Sequence, residues 1–130
     1  MSEHSVFVID DDEAVRDSIV CLLRSHGVRT RAFASGVQFF GNLPEVSSAC
    51  VITDVRMPEM DGAEVVRRLQ ALKCDAWPII VITGHAEVPL AVQLMKAGVV
   101  DYIEKPFEPT RLVEVVQGSF AHLDNLLLRK

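Results

Sequence analysis

Acidic side chains, one hydroxyl and one ammonium group stand at the ends of short apolar, β-branched runs of this sequence. They are Asp10, Asp11, Asp12, Asp54, Thr83 and Lys105. Carboxylates held close together repel one another, which favours either proton uptake or a bound cation. Mg²⁺ prefers carboxylate oxygens and bridges phosphate oxygens, and an aspartate can itself be phosphorylated. The residue types therefore suit phosphoryl transfer to a carboxylate, with Lys105 as a point charge and Thr83 as a hydrogen-bond donor to phosphoryl oxygens.

Each of these residues also has an ordinary interpretation. An acidic loop residue is usually solvated, and a threonine at a strand end is usually present for its β-propensity. Asp54, at the tip of the run CVIT, could be a nucleophile, a metal ligand, a helix cap or a solvated loop residue. What favours a functional role is the number of such groups that one fold would bring together.

The elements that would position these groups alternate between two periodicities. Short apolar runs predict strands at 6–10, 28–33, 50–54, 78–83 and 99–105, and helical spacing of apolar residues predicts a helix after each strand. The first, third and fourth strands are apolar on both faces, which is typical of a parallel sheet covered by helices on both sides. We therefore predict an α/β fold, a (βα)5 doubly wound five-stranded parallel sheet. In such a sheet ligands bind beyond the carboxyl ends of the strands, where the groups described above converge.

Helix starts and buried faces follow from the same patterns. Two N-terminal caps are expected, Ser35 with Gln38 and Asp61 with Glu64. The residues expected to face inward are Val15, Ile19, Leu22 and Leu23 in the first helix, Val65, Leu69 and Leu72 in the third, Val88, Val92 and Met95 in the fourth, and Leu112, Val116, Phe120 and Leu123 in the fifth. The residues expected at the surface are His4, His26 and His122, and Trp77 is expected to pack at a strand entrance.

Composition limits the functional classes. With 130 residues, 49% of them hydrophobic, the chain has the size of one domain with its own core. A net charge of -5 argues against direct nucleic-acid binding by this segment, since phosphate binding depends mainly on Lys and Arg. No run is long and apolar enough to span a membrane, and no signal peptide is visible. Cys21, Cys50 and Cys74 fit no metal or redox spacing, so we expect reduced thiols and a cytoplasmic location.

Four motifs together resemble the receiver domain of bacterial two-component response regulators, which are CheY-like. They are FVIDDDEAVRDS, VITDVRMPEMDG, PIIVITGHAE and DYIEKPF. The resemblance covers residues 5–123, and 124–130 would continue the last helix or start a linker or C-terminal tail. The stretches MPEMDG and ITGHAEVPLAVQLMKAGVVDYIEKPF are most similar to the nitrogen-fixation (FixJ/LuxR) type, whose members carry a helix-turn-helix output domain. The family implies the flavodoxin-like strand order 2-1-3-4-5.

The resemblance assigns roles at the acidic edge. It makes Asp54 the phosphoacceptor. The implied ligands of Mg²⁺ are Asp10, Asp11, Asp54 and the backbone carbonyl of Arg56, with Asp10 acting partly through water. Asp12 would be a further acidic neighbour outside this set.

The resemblance also implies a switch. Thr83 and Lys105 match the family's switch hydroxyl and lysine, and Tyr102 matches its switch aromatic. The Lys105–Pro106 bond resembles the family's cis peptide. Phosphorylation would draw Thr83 toward the phosphoryl oxygens, and Tyr102 would then turn inward.

The implied function is that of a phosphoacceptor in a two-component phosphorelay. The chain would take a phosphoryl group from a cognate sensor histidine kinase and dimerise through helix 4, strand 5 and helix 5. That face carries Lys96, Val99, Val100, Glu104 and Arg111. Transcription regulation would act through a DNA-binding domain outside these residues, and no membrane partner is expected. The chain would not be an enzyme with a separate substrate, but would catalyse its own phosphotransfer and a slow autodephosphorylation.

Two alternatives remain open at this point. A phosphatase of the haloacid-dehalogenase class also uses an Asp-x-Asp pair, which Asp10 and Asp12 could mimic, but that function leaves Asp54 without a role. The second alternative is a receiver-like fold that has lost phosphorylation and serves only as a docking module. The presence of the aspartates together with Thr83 and Lys105 argues against it. Arg56 and His85 could tune the lifetime of an acyl phosphate or be solvated rim residues.

Overall fold

A computed structural model describes residues 4–43, 48–72 and 77–128, with side chains as far as residue 124. Cys74 lies between the second and third of these ranges, outside the described residues. Within these ranges five strands alternate with five α-helices. The strands are β1 (Ser5–Ile9), β2 (Arg29–Phe33), β3 (Ala49–Asp54), β4 (Ile79–Thr83) and β5 (Asp101–Glu104). The helices are α1 (Glu13–Ser25), α2 (Gly36–Gly41), α3 (Gly62–Ala71), α4 (Val88–Lys96) and α5 (Pro109–Leu128), and a 3₁₀ turn (His85–Glu87) precedes α4.

The strands form one parallel sheet in the order β2-β1-β3-β4-β5. This arrangement confirms the predicted (βα)5 fold and the strand order 2-1-3-4-5. The register pairs Ile9 of β1 with Thr53 of β3. The residues that follow these two, Asp10 and Asp54, therefore leave the same edge of the sheet side by side.

Each face of the sheet buries its own apolar layer. Successive residues of β1 point to opposite sides, so Val6 and Val8 pack under α1 and α5. Phe7 and Ile9 pack on the other side under α2, α3 and α4, where the Phe7 ring lies 5.9 Å from the ring of Trp77. This contact confirms Trp77 as a packing residue. Burying one such side chain contributes roughly 1.5–3 kcal/mol, so the strands are firmly held where they position the site residues.

The predicted buried faces of two helices need correction. The sequence predicts that Leu72, Val92 and Met95 face inward, but they are 41%, 40% and 37% exposed. Leu72 follows the last turn of α3, where the backbone is already extended (φ -87°, ψ 173°). Helix α4 instead buries Ala91 and Leu94. Apolar residues occupy neighbouring stripes of α4, about 100° apart, and periodicity alone does not choose between them.

Side-chain caps begin α2 and α3 as predicted. Asp61 Oδ1 accepts a hydrogen bond of 2.9 Å from the backbone N–H of Glu64, and Ser35 Oγ accepts one of 3.0 Å from Gln38. The Gln38 side chain does not complete a capping box, because its Oε1 accepts from the N–H of Ala34, one residue before the cap.

Helix α5 continues through Leu128, past residue 123 at which the predicted domain ends. Its inner face carries Leu112, Val116 and Leu123 as buried residues, with Phe120 partly buried. The predicted inward face of α5 is thus confirmed. In the described part of the chain, no helix combines the length and hydropathy that crossing a bilayer requires.

Candidate functional site

Three carboxylates meet at the carboxyl edge of the sheet. One oxygen from each of Asp10, Asp11 and Asp54 lies within 4.8 Å of the other two. Asp10 is 1% exposed and Asp54 is 8% exposed, whereas Asp11 is open to solvent. The cause is the parallel pairing of β1 with β3, since both strands end at the same level before their helices turn away. The structure thus brings together all three carboxylates that the sequence predicts as ligands.

The turn between β1 and α1 uses its aspartates differently. Asp10 Oδ1 accepts from the N–H of Asp12 at 2.9 Å, which closes a tight turn after β1. Asp12 is the N-cap of α1, and its Oδ1 accepts from the N–H groups of Ala14 and Val15 at 3.0 and 3.2 Å. The Asp12 carboxylate serves the helix terminus, so the geometry gives no support to a phosphatase pair of Asp10 and Asp12.

Lys105 reaches the cluster from the end of β5, beside a cis Lys105–Pro106 peptide bond. Its Nζ donates to Asp54 Oδ2 at 3.2 Å. It also lies 3.4 Å from Asp10 Oδ2, but that contact lacks the geometry of a hydrogen bond. Asp10 Oδ2 is therefore a buried oxygen with no hydrogen-bond partner among the described residues. A buried acceptor in this state can be satisfied by a water molecule or a bound cation.

Burial and crowding shift the protonation equilibria of the cluster. Burial raises the pKa of Asp54, and it raises the pKa of Asp10, to which the negative charge of Asp54 adds. Burial lowers the pKa of Lys105, but the attraction of the two carboxylates outweighs it and leaves that pKa above its ordinary value. The site concentrates more negative charge than Lys105 neutralises. Hard carboxylate oxygens in this number and spacing fit a divalent cation.

Thr83 and Tyr102 occupy neighbouring strands. Thr83 ends β4 and is fully buried, and its hydroxyl donates to the carbonyl of Gly84 at 3.0 Å. Tyr102 in β5 is half-buried and packs against the apolar layer that contains Phe7 and Ile9. The β4–β5 register places the two side chains on the same face of the sheet. This placement is the one that the predicted coupling of Thr83 to Tyr102 requires.

Arg56 and His85 lie at the rim of the site. The Arg56 side chain is 77% exposed and forms an ion pair with Glu87 at 2.5 Å. The His85 side chain is 91% exposed and lies 3.2 Å from Glu104. The ligand role predicted for Arg56 belongs to its backbone carbonyl, so the pairing of its side chain leaves that prediction standing.

The loop from β3 to α3 folds tightly back over Asp54. A Cβ on Gly62 would collide with the carbonyl oxygen of Asp54 and would lie 2.9 Å from Cα of Val55, so only glycine fits. A hydrogen bond of 2.8 Å from the Gly62 N–H to the Val55 carbonyl holds the start of α3 against the end of β3. Glu59 in the same loop has a φ of 67°, which its residue type did not predict, since Asn, Asp and Gly are the usual occupants of that region.

Arg16 is a site residue that the sequence reading missed. Its Nη1 donates to the backbone carbonyl of Asp10 at 2.7 Å. The signal that could have found it is its position four residues after the cap Asp12, where one turn of α1 brings its side chain back over the helix start.

The chain matches a known family and several curated proteins. The family described as response regulator receiver domain matches residues 6–117. The transcriptional regulatory protein FixJ of Rhizobium meliloti is 43% identical over 123 residues, which are 95% of this chain and 60% of that protein. FixJ of Bradyrhizobium diazoefficiens is 46% identical over 114 residues, which are 88% of this chain and 55% of that protein. The chain thus spans little more than half the length of these relatives.

A solved structure extends the likeness to three dimensions. The crystal structure of FixJ-N superposes with a TM-score of 0.86 at 43% identity, covering 94% of this chain and 97% of that one. The stretch that matches the family contains β1 except Ser5, all of β2 to β5, the three clustered carboxylates and Lys105. This chain belongs to the family of response regulator receiver domains.

Proposed function

We propose that the chain is the phosphoacceptor of a two-component system and that Asp54 takes a phosphoryl group from a phosphohistidine of a sensor kinase. The observation that supports this proposal most is the placement of Asp54. A buried carboxylate at the tip of β3 contacts Lys105 and lies beside two further carboxylates. A structural carboxylate would be expected to have enough partners within the chain, whereas this cluster carries an excess of negative charge.

The reaction follows from the groups at the site. An oxygen of the Asp54 carboxylate forms a bond to phosphorus as the P–N bond to the kinase histidine breaks. The imidazole leaves with the electron pair of that bond and takes a proton from solvent. The Lys105 ammonium group, now 3.2 Å from Asp54 Oδ2, lies where it can neutralise a phosphoryl oxygen. The Thr83 hydroxyl would exchange its bond with the Gly84 carbonyl for one with a second phosphoryl oxygen.

A divalent cation fits the same cluster. Asp10, Asp11 and Asp54 would hold Mg²⁺, with the backbone carbonyl of Arg56 completing the protein ligands. The buried Asp10 Oδ2, which accepts no hydrogen bond among the described residues, supports this assignment, because a cation would give it a ligand bond. When bound, the cation supplies charge neutralisation for the transferred phosphoryl group.

The output is proposed to pass from Thr83 to the surface of α4, β5 and α5. Phosphorylation would draw Thr83 toward the phosphoryl group, let Tyr102 turn inward and bias that surface toward dimerisation. Val99 does not belong to the dimer surface as predicted, because it is 4% exposed in the layer under α4. Of the residues predicted there, Lys96, Val100, Glu104 and Arg111 are partly or fully exposed, and we add Val92 and Met95 of α4, which are exposed beside them.

The cellular role is proposed from the relatives. They are named transcriptional regulatory proteins and are longer than this chain. We expect the chain to regulate transcription through a DNA-binding part of a longer protein, in the cytoplasm, with a sensor histidine kinase as partner. The chain acts as a self-modifying phosphoacceptor with slow autodephosphorylation, and not as an enzyme that turns over a separate substrate.

Intact-mass measurement tests this proposal. Incubation with acetyl phosphate and Mg²⁺ should add one phosphoryl group, and adding EDTA should prevent the modification. Asp54→Asn should remain unmodified, whereas the matched control Asp12→Asn should be modified, because asparagine also caps helices and Asp12 lies outside the cluster. Full modification of Asp54→Asn would contradict the proposal, and no modification of the wild type would favour a docking module.

A further inference from the structure

The backbone carbonyl of Asp10 has an unusual partner. Asp10 extends β1 by one position, since its N–H donates to the carbonyl of Phe33 in β2 at 3.2 Å. Its carbonyl, in a residue that is 1% exposed, accepts from the guanidinium of Arg16 at 2.7 Å. A buried carbonyl requires a donor, and here a charged side chain from α1 supplies it.

Arg16 holds the turn of residues 10–12 from two directions. Its side chain bonds the Asp10 carbonyl, and its backbone N–H makes the first ordinary helix bond of α1, to the Asp12 carbonyl at 2.9 Å, which any residue at this position would keep. A third bond, from the Asp12 N–H to Asp10 Oδ1, closes the turn internally. Asp11 lies between the two anchored residues, so the direction of its carboxylate depends on how firmly they are held.

We propose that Arg16 is a positioning residue for the cation site: its bond to the Asp10 carbonyl fixes the turn that holds the Asp10 and Asp11 carboxylates together. This inference rests on the proposed function, because it assigns a determinant of affinity to the Mg²⁺ site described there. Arg16 is not one of the proposed ligands of the cation, and its guanidinium donates to the Asp10 carbonyl. It acts through the backbone, as groups outside the coordination shell commonly do when they orient metal ligands.

The direction in which Mg²⁺ affinity changes when Arg16 is replaced distinguishes a positioning role from an effect of its charge. Arg16 carries a positive charge beside the acidic cluster and repels a bound cation, so by electrostatics alone its removal should tighten the binding of Mg²⁺. If Arg16 acts by holding the turn, its removal should weaken binding, because two ligands lose their shared orientation. A neutral substitution therefore gives opposite results under the two explanations.

Helix α1 provides a matched control. Arg24, in the last turn of α1, donates from its guanidinium to the backbone carbonyl of Thr30 in β2 at 2.8 Å. This bond has the same chemistry as that of Arg16, and it also ties α1 to a strand. It lies at the opposite end of the helix from the acidic cluster, so its loss reports only on general anchoring of α1.

The experiment is calorimetric titration of Mg²⁺ into the full chain for wild type, Arg16→Gln, Arg16→Lys and Arg24→Gln. Arg16→Gln should bind about tenfold more weakly than wild type. Arg24→Gln should stay within about twofold of wild type, and Arg16→Lys, which keeps a charged donor, should recover part of the loss. Circular dichroism verifies that each variant is folded.

A second readout needs no metal. In EDTA, amide hydrogen exchange of the Asp12 N–H should accelerate in Arg16→Gln and not in Arg24→Gln, because that N–H closes the turn. Unchanged exchange, equal or tighter Mg²⁺ binding by Arg16→Gln, or equal weakening in both glutamine variants would each overturn the role of Arg16. A wild type that binds no Mg²⁺ would instead overturn the proposed cation site, and the Arg16 assignment would fall with it.

Discussion

The buried side chains of His4 and Asp10, at opposite ends of the sheet, differ in how they are partnered. At the amino end, His4 is 7% exposed and bonds Ser48 Oγ through Nδ1 and Asp124 Oδ1 through Nε2, the latter at 2.8 Å. At the carboxyl end, Asp10 Oδ2 is buried with no hydrogen-bond partner among the described residues. Lys105 Nζ lies 3.4 Å from that oxygen and 3.2 Å from Asp54 Oδ2, so one ammonium group is shared by two carboxylates. At the amino end both ring nitrogens of the buried side chain have partners within the chain, whereas at the carboxyl end one buried carboxylate oxygen accepts no hydrogen bond from the described residues.

The bonds of His4 explain how the amino end is held. A carboxylate can only accept, so Nε2 donates to Asp124, and Nδ1 bonds the Ser48 hydroxyl. The ring also lies 5.4 Å from that of Phe120. The late turns of α5 are thereby tied to the amino ends of β1 and β3. The prediction that His4 lies at the surface is wrong, because its two partners lie far from it in the sequence.

The largest expected effect comes from breaking the amino end. His4→Ala should lower the free energy of unfolding by about 2 kcal/mol, because it removes two hydrogen bonds and leaves a void beside Phe120. His122→Ala, at an exposed position of α5, is the matched control and should change that free energy by less than about 0.5 kcal/mol. Urea unfolding measures both, and equal stability of the two variants would show that His4 does not hold this end.

The carboxyl end should respond in the opposite direction. In EDTA, Asp54→Asn should raise the free energy of unfolding by about 1 kcal/mol, because it removes one of three crowded carboxylates from a partly buried site. Saturating Mg²⁺ should stabilise the wild type more than the variant, since only the wild type keeps all three carboxylates. Urea unfolding with and without Mg²⁺ checks both statements. A variant less stable than wild type in EDTA would show that the Lys105 contact outweighs the crowding.

The two ends also differ in how well the sequence predicts them. The carboxyl edge was predictable because parallel strands end at one edge, so Asp10, Asp54 and Lys105 had to converge once the strands were recognised. The His4 network joins residues about 120 positions apart and depends on the exact length and direction of α5. Arg16 was missed for a related reason, since a side chain that bonds a backbone carbonyl leaves no residue-type signature in its partner.

The adjacent residues Asp11 and Asp12 are expected to affect different properties, Mg²⁺ affinity and stability respectively. Asp12→Ala should lower the free energy of unfolding by roughly 0.5–1 kcal/mol through loss of the α1 cap, with Mg²⁺ affinity nearly unchanged. Asp11→Ala should leave stability in EDTA nearly unchanged but weaken Mg²⁺ binding by more than the roughly tenfold that loss of an outer-shell partner costs. Urea unfolding measures the free energy of unfolding of both variants, and calorimetric titration measures their Mg²⁺ affinity. Weakened Mg²⁺ binding in Asp12→Ala alone would move that residue into the ligand set.

The smallest expected effect lies at the rim, where polar groups are neither buried nor crowded. Arg56→Ala should change the free energy of unfolding by less than about 0.5 kcal/mol, because the side chain is 77% exposed and its ion pair with Glu87 is screened by solvent. Mg²⁺ affinity should stay within about twofold or rise slightly, since alanine keeps the backbone carbonyl that is the proposed ligand and removes a positive charge. Glu87→Ala is the matched control, because it breaks the same ion pair without altering the ligand-bearing loop. A fivefold or larger loss of Mg²⁺ affinity in Arg56→Ala, absent from Glu87→Ala, would mean that the Arg56 side chain shapes the site. The groups that determine Mg²⁺ affinity at the carboxyl end would then include an exposed side chain as well as the clustered carboxylates.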